Sequence, residues 1–197
     1  MVNIDKKELD KILKIEGKVR GAVFYTDREY VLLKWQKKGF EQLKKNMKSL
    51  NLDIPYEEAK AMEWYPIGKR IISLLLIKET FGLKDEQIRE IGLMAPKFSA
   101  IVKIFFKLFT PVEKFSREIP RYWQEHYTIG RLETKKISTQ EKIMILHLKD
   151  IKIDPLFCLY LEGYFERVIK FLYPEGKCRE TKCSFKEGQY HEYYFTW

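Results

Sequence analysis

A chain of 197 residues, 45% hydrophobic and 33% charged, has the composition of a folded domain with one substantial core, which sets disorder aside. Its 37 Lys and Arg against 28 Asp and Glu leave a formal net charge of +9, but the cations are interleaved with glutamates, as in "KKELDKILK", the pattern of solvated helix faces. The start "MVNIDKKELDK" lacks a signal-peptide core, the most apolar run is the short "IISLLLI" at 71–77, and three cysteines make no disulfide framework; a single cytoplasmic domain over 1–197 with no membrane span is expected.

In chain order, "DKKELDKILK" places Leu9, Ile12 and Leu13 at helical spacing and ends at Gly17. "KVRGAVFY" alternates like a strand, with Val19, Gly21, Val23 and Tyr25 on one face. Asp27 or Thr26 then caps a helix running to about Leu50, with a bend expected at Gly39. Two prolines break "NLDIPYEEAKAMEWYPIGKR", although "EEAKAM" has the composition for two helical turns. Pro66 opens a helix that Gly82 closes, and "LKDEQIREIGLM" forms another that stops before Pro96. The aromatic stretch from Phe98 to Tyr127 reads as two helices interrupted at Pro111 and again at Pro120. "RLETKKIS" and "EKIMILHLKD" make a hairpin. Asp154 and Pro155 start a long helix, and "KCRETKCSF" and "QYHEYYFTW" close the chain as a second hairpin around Gly188. The expected architecture is α+β: a helical layer on an antiparallel sheet of about four to five strands.

The chemistry-bearing residues are few. His126, His147 and His191 are the only histidines, and the chain contains no zincin helix, phosphate-binding loop, dinucleotide-binding glycine pattern or nucleophile elbow. No acid, base and nucleophile set emerges, so a non-enzyme is expected. Cys178 and Cys183 could ligate zinc with His191 and Cys158; packing of two thiols against the long helix, or a redox-dependent disulfide, are the alternatives. "QYHEYYFTW" interleaves aromatic and polar residues as single-stranded nucleic acid would require, though strand packing accounts for the same pattern.

The last third carries a resemblance. "LFCLYLEGYFERVIKFLYPEGKCRETKCSFKEG", with Gly163 on the long helix, Cys178, and Cys183 followed by Phe185, resembles the C-terminal part of the 4-vinyl reductase-type ligand-binding domain. The order of elements over about residues 85–197 is similar to the wider superfamily that includes haem-NO-binding domains and TRAPP transport-complex subunits; residues 1–84 supply the N-terminal strand and helices. The resemblance implies a sandwich of helices and sheet around an apolar pocket, a small hydrophobic ligand or lipid chain, a homodimer and a signalling partner protein, with the cysteine pair as a strand signature near the pocket. The haem-NO-binding branch holds its haem by a histidine on the helix preceding the sheet. His126 is the nearest counterpart, but the Tyr-x-Ser-x-Arg clamp on the haem propionates has no match, so no cofactor is expected and His126 is assigned as a helix-end cation. Phe98, Phe105, Phe109, Phe115, Tyr122, Trp123, Phe157, Tyr160 and Tyr164 are the expected pocket residues. An interaction module that uses its basic surface on an acidic protein or nucleic acid is the alternative.

Overall fold

A computed structural model describes residues 2, 4–98, 111–186 and 188–197. Helix α1 (Lys6–Leu13) starts where the Asp5 carboxylate accepts the Lys7 N–H at 3.0 Å, and it buries Leu9 and Ile12. The expected strand after it is cut short: β1 (Lys18–Arg20) pairs antiparallel with β2 (Trp64–Pro66), and α2 (Ala22–Ser49) begins two residues later. Gly21 explains the early turn. A Cβ there would collide with the Lys60 carbonyl oxygen, so only glycine lets the chain pass under residues 60–65, where its N–H reaches the Glu63 carbonyl. Thr26 and Asp27 are therefore buried helix-interior residues and not caps. "EEAKAM" forms turns, without a helix.

The bend in α2 falls at Gln36, with φ 57° and ψ −163°, and not at Gly39. Trp35 stacks on Phe81 at 3.8 Å, and its Cβ fills the place a side chain on residue 39 would need. Helix α3 (Ile67–Phe81) is bounded as the sequence predicts, with Gly82 in the left-handed region at φ 61°. Helix α4 (Asp85–Phe98) runs through Pro96, and α5 (Val112–His126) runs through Pro120. At Pro120 the reason is visible: the missing N–H frees the Ser116 carbonyl, and Thr134 Oγ1 donates to that oxygen at 2.7 Å.

The main sheet has the order β3 (Arg131–Ser138), β4 (Ile143–Lys149), β6 (His191–Thr196), β5 (Lys177–Lys182), all antiparallel, which matches the expected α+β class. Its inner face buries Leu132, Met144, Leu146, Leu148, Cys178, Tyr193 and Phe195. Helix α6 (Pro155–Leu172), capped by Asp154 through the Leu156 N–H at 2.8 Å, lies between that face and α4. The α4–α6 crossing is backbone to backbone. A Cβ on Gly92 would collide with the Tyr160 carbonyl oxygen, and one on Gly163 with that of Arg89. Among the described residues no helix is long and apolar enough to cross a membrane.

Candidate functional site

Between α2, α4, α5, α6 and the sheet lies an apolar chamber of about 70 Å³. Helix α2 contributes Ala22, Val23 and Thr26, and α4 contributes Ala95. From α5 and its end come Phe115, Ile119, Tyr122, Trp123, His126 and Tyr127. The sheet gives Leu132, Leu146 and Phe195; α6 gives Tyr160, Leu161, Tyr164, Phe165 and Val168. Helical spacing brings these together: Phe115, Ile119, Tyr122, Trp123 and His126 recur at three and four residues on α5, as do Tyr160, Leu161, Tyr164, Phe165 and Val168 on α6.

Of the nine expected pocket residues, Phe115, Tyr122, Trp123, Tyr160 and Tyr164 border this chamber. Phe157 does not: it is buried one layer away, stacked on Tyr160 and edge-on to Tyr127. Phe98 is also outside the lining, half-buried at the end of α4. Phe105 and Phe109 lie outside the described residues.

The polar atoms at the wall are mostly engaged. Trp123 Nε1 donates to the Ile129 carbonyl at 3.0 Å and Thr26 Oγ1 to that of Val23 at 2.8 Å. The Tyr122 and Tyr164 hydroxyls are 3.5 Å apart, and burial pushes Tyr122 up to about 12. His126 differs. Its Nδ1–H donates to the Tyr122 carbonyl at 2.9 Å, its ring lies on that of Tyr122 at 4.2 Å, and its Nε2 has no hydrogen-bond partner among the described residues. Burial lowers its pKa, so it is a neutral imidazole with an available lone pair, not the helix-end cation the sequence suggests.

Behind the Tyr160 side of the wall is a buried polar nest. Asp27, Arg70 and Ser73 have no exposure, and Tyr56 has 4%. Asp27 Oδ2 accepts from Arg70 Nη1 and, at 2.6 Å, from Ser73 Oγ, which lies 3.0 Å from the Tyr56 hydroxyl. The Arg70 guanidinium sits 4.3 Å over the Tyr160 ring. Nothing in the residue pattern signals this nest, because the fold places a helix interior where a cap is expected.

A second cluster stands at the far end of α6. Cys158 from its first turns, Glu180 from β5, Cys183 just after β5 and His191 at the start of β6 bring four ligand atoms within 4.8 Å of one another. Cys158 Sγ is 3.9 Å from Cys183 Sγ and 3.7 Å from His191 Nδ1, which is 2.7 Å from Glu180 Oε1. Tetrahedral zinc with bonds of about 2.0–2.3 Å requires donors roughly 3.3–3.8 Å apart; Cys158 and His191 meet that spacing and the two thiols come close to it, whereas Glu180 and His191 stand at hydrogen-bond distance. His191 Nε2 is 2.8 Å from Ser184 Oγ and 3.3 Å from the Ile151 carbonyl, partners that would orient a ligating histidine. Burial holds the Cys158 thiol far above its ordinary range, so a metal is what would make it a thiolate. Cys178, expected in this set, is not in it: it faces inward two residues before Glu180, with its N–H directed at Glu166. Glu180 is the member of this cluster that sequence reasoning missed. Its signal is the two-residue step along β5 that puts it on the Cys178 face while the strand end delivers Cys183.

No protein-family model and no curated relative matches the sequence. Solved structures do match, over most of the chain. An H-NOX protein from S. oneidensis in the Fe(II)NO ligation state superposes with a TM-score of 0.68 at 8% identity, covering 89% of this chain and 97% of its own. A Tt H-NOX double variant gives 0.66 at 16%, over 90% and 94%. An oxygen-binding H-NOX domain described as related to soluble guanylate cyclases gives 0.62 at 14%, over 89% and 91%. At these identities the likeness shows the fold, and it is the haem-NO-binding side of the expected superfamily that these structures represent.

One expectation is thereby corrected. The sequence predicts no cofactor and sets haem aside for want of the clamp motif, whereas the matching structures are described by heme, Fe(II), NO and oxygen, which removes the ground for setting haem aside. The donor chemistry of the chamber fits the group: His126 offers a neutral imidazole nitrogen from a partly buried ring at an apolar aromatic wall. The volume of about 70 Å³ is well below the roughly 300–1,000 Å³ of pockets that enclose larger ligands, so a macrocycle enters only by displacing the lining. The conclusion at the level of the whole chain is an H-NOX fold around an apolar chamber with one histidine donor.

Proposed function

We propose that the chain is a non-enzymatic sensory domain that takes a small apolar molecule into the chamber, with zinc at Cys158, Glu180, Cys183 and His191 tying α6 to the two closing strands. The observation that carries the reading is the apolar chamber with an imidazole nitrogen at its wall that has no hydrogen-bond partner among the described residues. An aliphatic and aromatic lining recognises an apolar body through burial, and His126 Nε2 accepts one hydrogen bond from it or donates its lone pair to a metal. Where the group is haem, it supplies an iron that binds a diatomic gas, and His126 is the residue that would hold it. The zinc ligands come from α6, whose Tyr160, Leu161 and Tyr164 face the chamber, so the metal fixes the helix that ligand entry would press upon. Output through a homodimer or a signalling partner protein belongs to the same proposal.

The test uses the purified full chain. Metal analysis is expected to give one zinc per chain. Hemin, toluene and indole are titrated separately, with absorbance near 400 nm for hemin and thermal unfolding for all three. At least one is expected to raise the melting temperature as its concentration rises, since a ligand of the native state stabilises by mass action. A hemin band that His126→Ala removes would assign the donor. The reading is wrong if none of the three shifts the melting curve.

A further inference from the structure

An arginine within α3, set among Ile67, Ile71 and Leu74, needs a reason. Arg70 is fully buried, and Asp27 engages only its Nη1. Its Nε and Nη2, together with Asp27 Oδ1, have no hydrogen-bond partner of normal geometry among the described residues. Each buried donor left in that state is costly, and folded proteins rarely keep one without a water or ligand to meet it. The two unmet donors are not an arbitrary pair. Nε and Nη2 form the side-on edge of a guanidinium, where two parallel N–H groups match the two oxygens of a carboxylate. A single water answers one N–H well; a carboxylate answers both.

The nest also has an address. Arg70 packs over the ring of Tyr160, which borders the chamber, and Thr26, next to Asp27 on α2, borders it too. Tyr160 thus stands between the apolar chamber and the face of the Arg70 guanidinium. We propose that the chamber's ligand is a small apolar acid, whose body fills the chamber and whose carboxylate displaces the Tyr160 ring from the guanidinium to take the free Arg70 edge. This names the ligand class for the function proposed above and rests on that reading.

Charge balance supports it. A second carboxylate beside Asp27 would leave the nest at net −1, but burial already pushes the Asp27 carboxyl up, against the opposing pull of Arg70 and Ser73. A proton taken up by Asp27 returns the nest to neutrality and turns Oδ1 from an acceptor into a donor for the incoming oxygen. Phenols, alcohols and amides fit less well. An amide presents one acceptor and a donor to an edge made of two donors, and an alcohol presents one acceptor.

Calorimetric titration of the full chain with benzoate and benzamide, and with hexanoate and hexanamide, tests the ligand class without a mutation. Each acid is expected to bind at least tenfold more tightly than its amide. Arg70→Lys keeps a cation opposite Asp27 but removes the fork, and in that variant the tenfold preference of each acid over its amide should vanish. Amides binding as tightly as acids to the wild-type chain would overturn the carboxylate assignment and leave the chamber reading standing. So would an acid preference that survives in Arg70→Lys. If neither acids nor amides bind, both readings fall. Should Arg70→Lys fail to fold, the wild-type acid–amide comparison still separates these outcomes.

Discussion

Three residues, His126, Cys158 and Cys183, concentrate the chemistry that can be tested one side chain at a time. His126 has a pKa lowered from 6.5 by burial, so the folded state prefers the neutral ring. The sign follows: this contribution to stability is fully present above about pH 6.5 and is lost as the pH falls through the lower folded-state value. Wild-type protein should therefore lose stability on acidification below 6.5 more steeply than His126→Gln, as measured by chemical denaturation across pH 5–8; parallel curves would show that burial of this ring costs nothing. At the cluster of Cys158, Glu180, Cys183 and His191, the proposed zinc makes a prediction: Cys158→Ser and Cys183→Ser should each abolish stoichiometric zinc and lower the melting temperature, while Cys178→Ser keeps the metal. Retention of zinc by Cys158→Ser would remove that residue from the ligand set. Proximity along the chain pairs Cys178 with Cys183. The fold chooses Cys158, because α6 lays its first turns against the end of β5, a relation that no spacing in the sequence encodes.

Between elements, the tightest constraint is the crossing of α4 and α6. Gly92 and Gly163 let the two backbones touch, and a methyl group on either would fall on a carbonyl oxygen of the other helix. Gly163→Ala should cost about 3 kcal/mol, the upper end of overpacking, because helix backbone cannot move aside as a flexible side chain does. A loss under about 1 kcal/mol in denaturant melts would mean that the helices are further apart than described. Thr134→Val tests a smaller join: it leaves the Ser116 carbonyl, freed by Pro120, without its donor and should cost about 1–3 kcal/mol. These elements also show which parts of the fold are legible in the residues. Helix α3 declares both ends through Pro66 and Gly82, and α6 declares its start through Asp154 and Pro155, since those residues act within one turn of themselves. The start of α2 and the continuity of α4 and α5 past their prolines are hidden. Gly21 turns because of the Lys60 carbonyl, far along the chain, and Pro120 is tolerated because a strand residue replaces its hydrogen bond.

At the scale of the molecule, amphipathic periodicity is enough to predict the α+β class, while the chamber is only half visible. Tyr122, Trp123, Tyr160 and Tyr164 stand out as aromatic residues at helical spacing, and the small Ala22 and Ala95 that leave the space do not, because a cavity is defined by what is missing from a packing arrangement. The expectation about haem fails for a related reason. It leans on a short clamp motif, whereas the fold persists at 8–16% identity without carrying that motif along.

The chamber's emptiness is tested most sharply by filling it. Ala95→Leu adds three carbons at the chamber wall, and calorimetric titration of this variant beside the wild type, with their thermal melts, separates space from solid core. Ala95→Leu is expected to lose ligand binding while its melting temperature holds or rises, as cavity-filling changes do, by about 0.5–2 kcal/mol of stability. A variant that is destabilised by the roughly 1–3 kcal/mol of an overpacked core, and that binds the same ligands as the wild type, would contradict the presence of a ligand chamber.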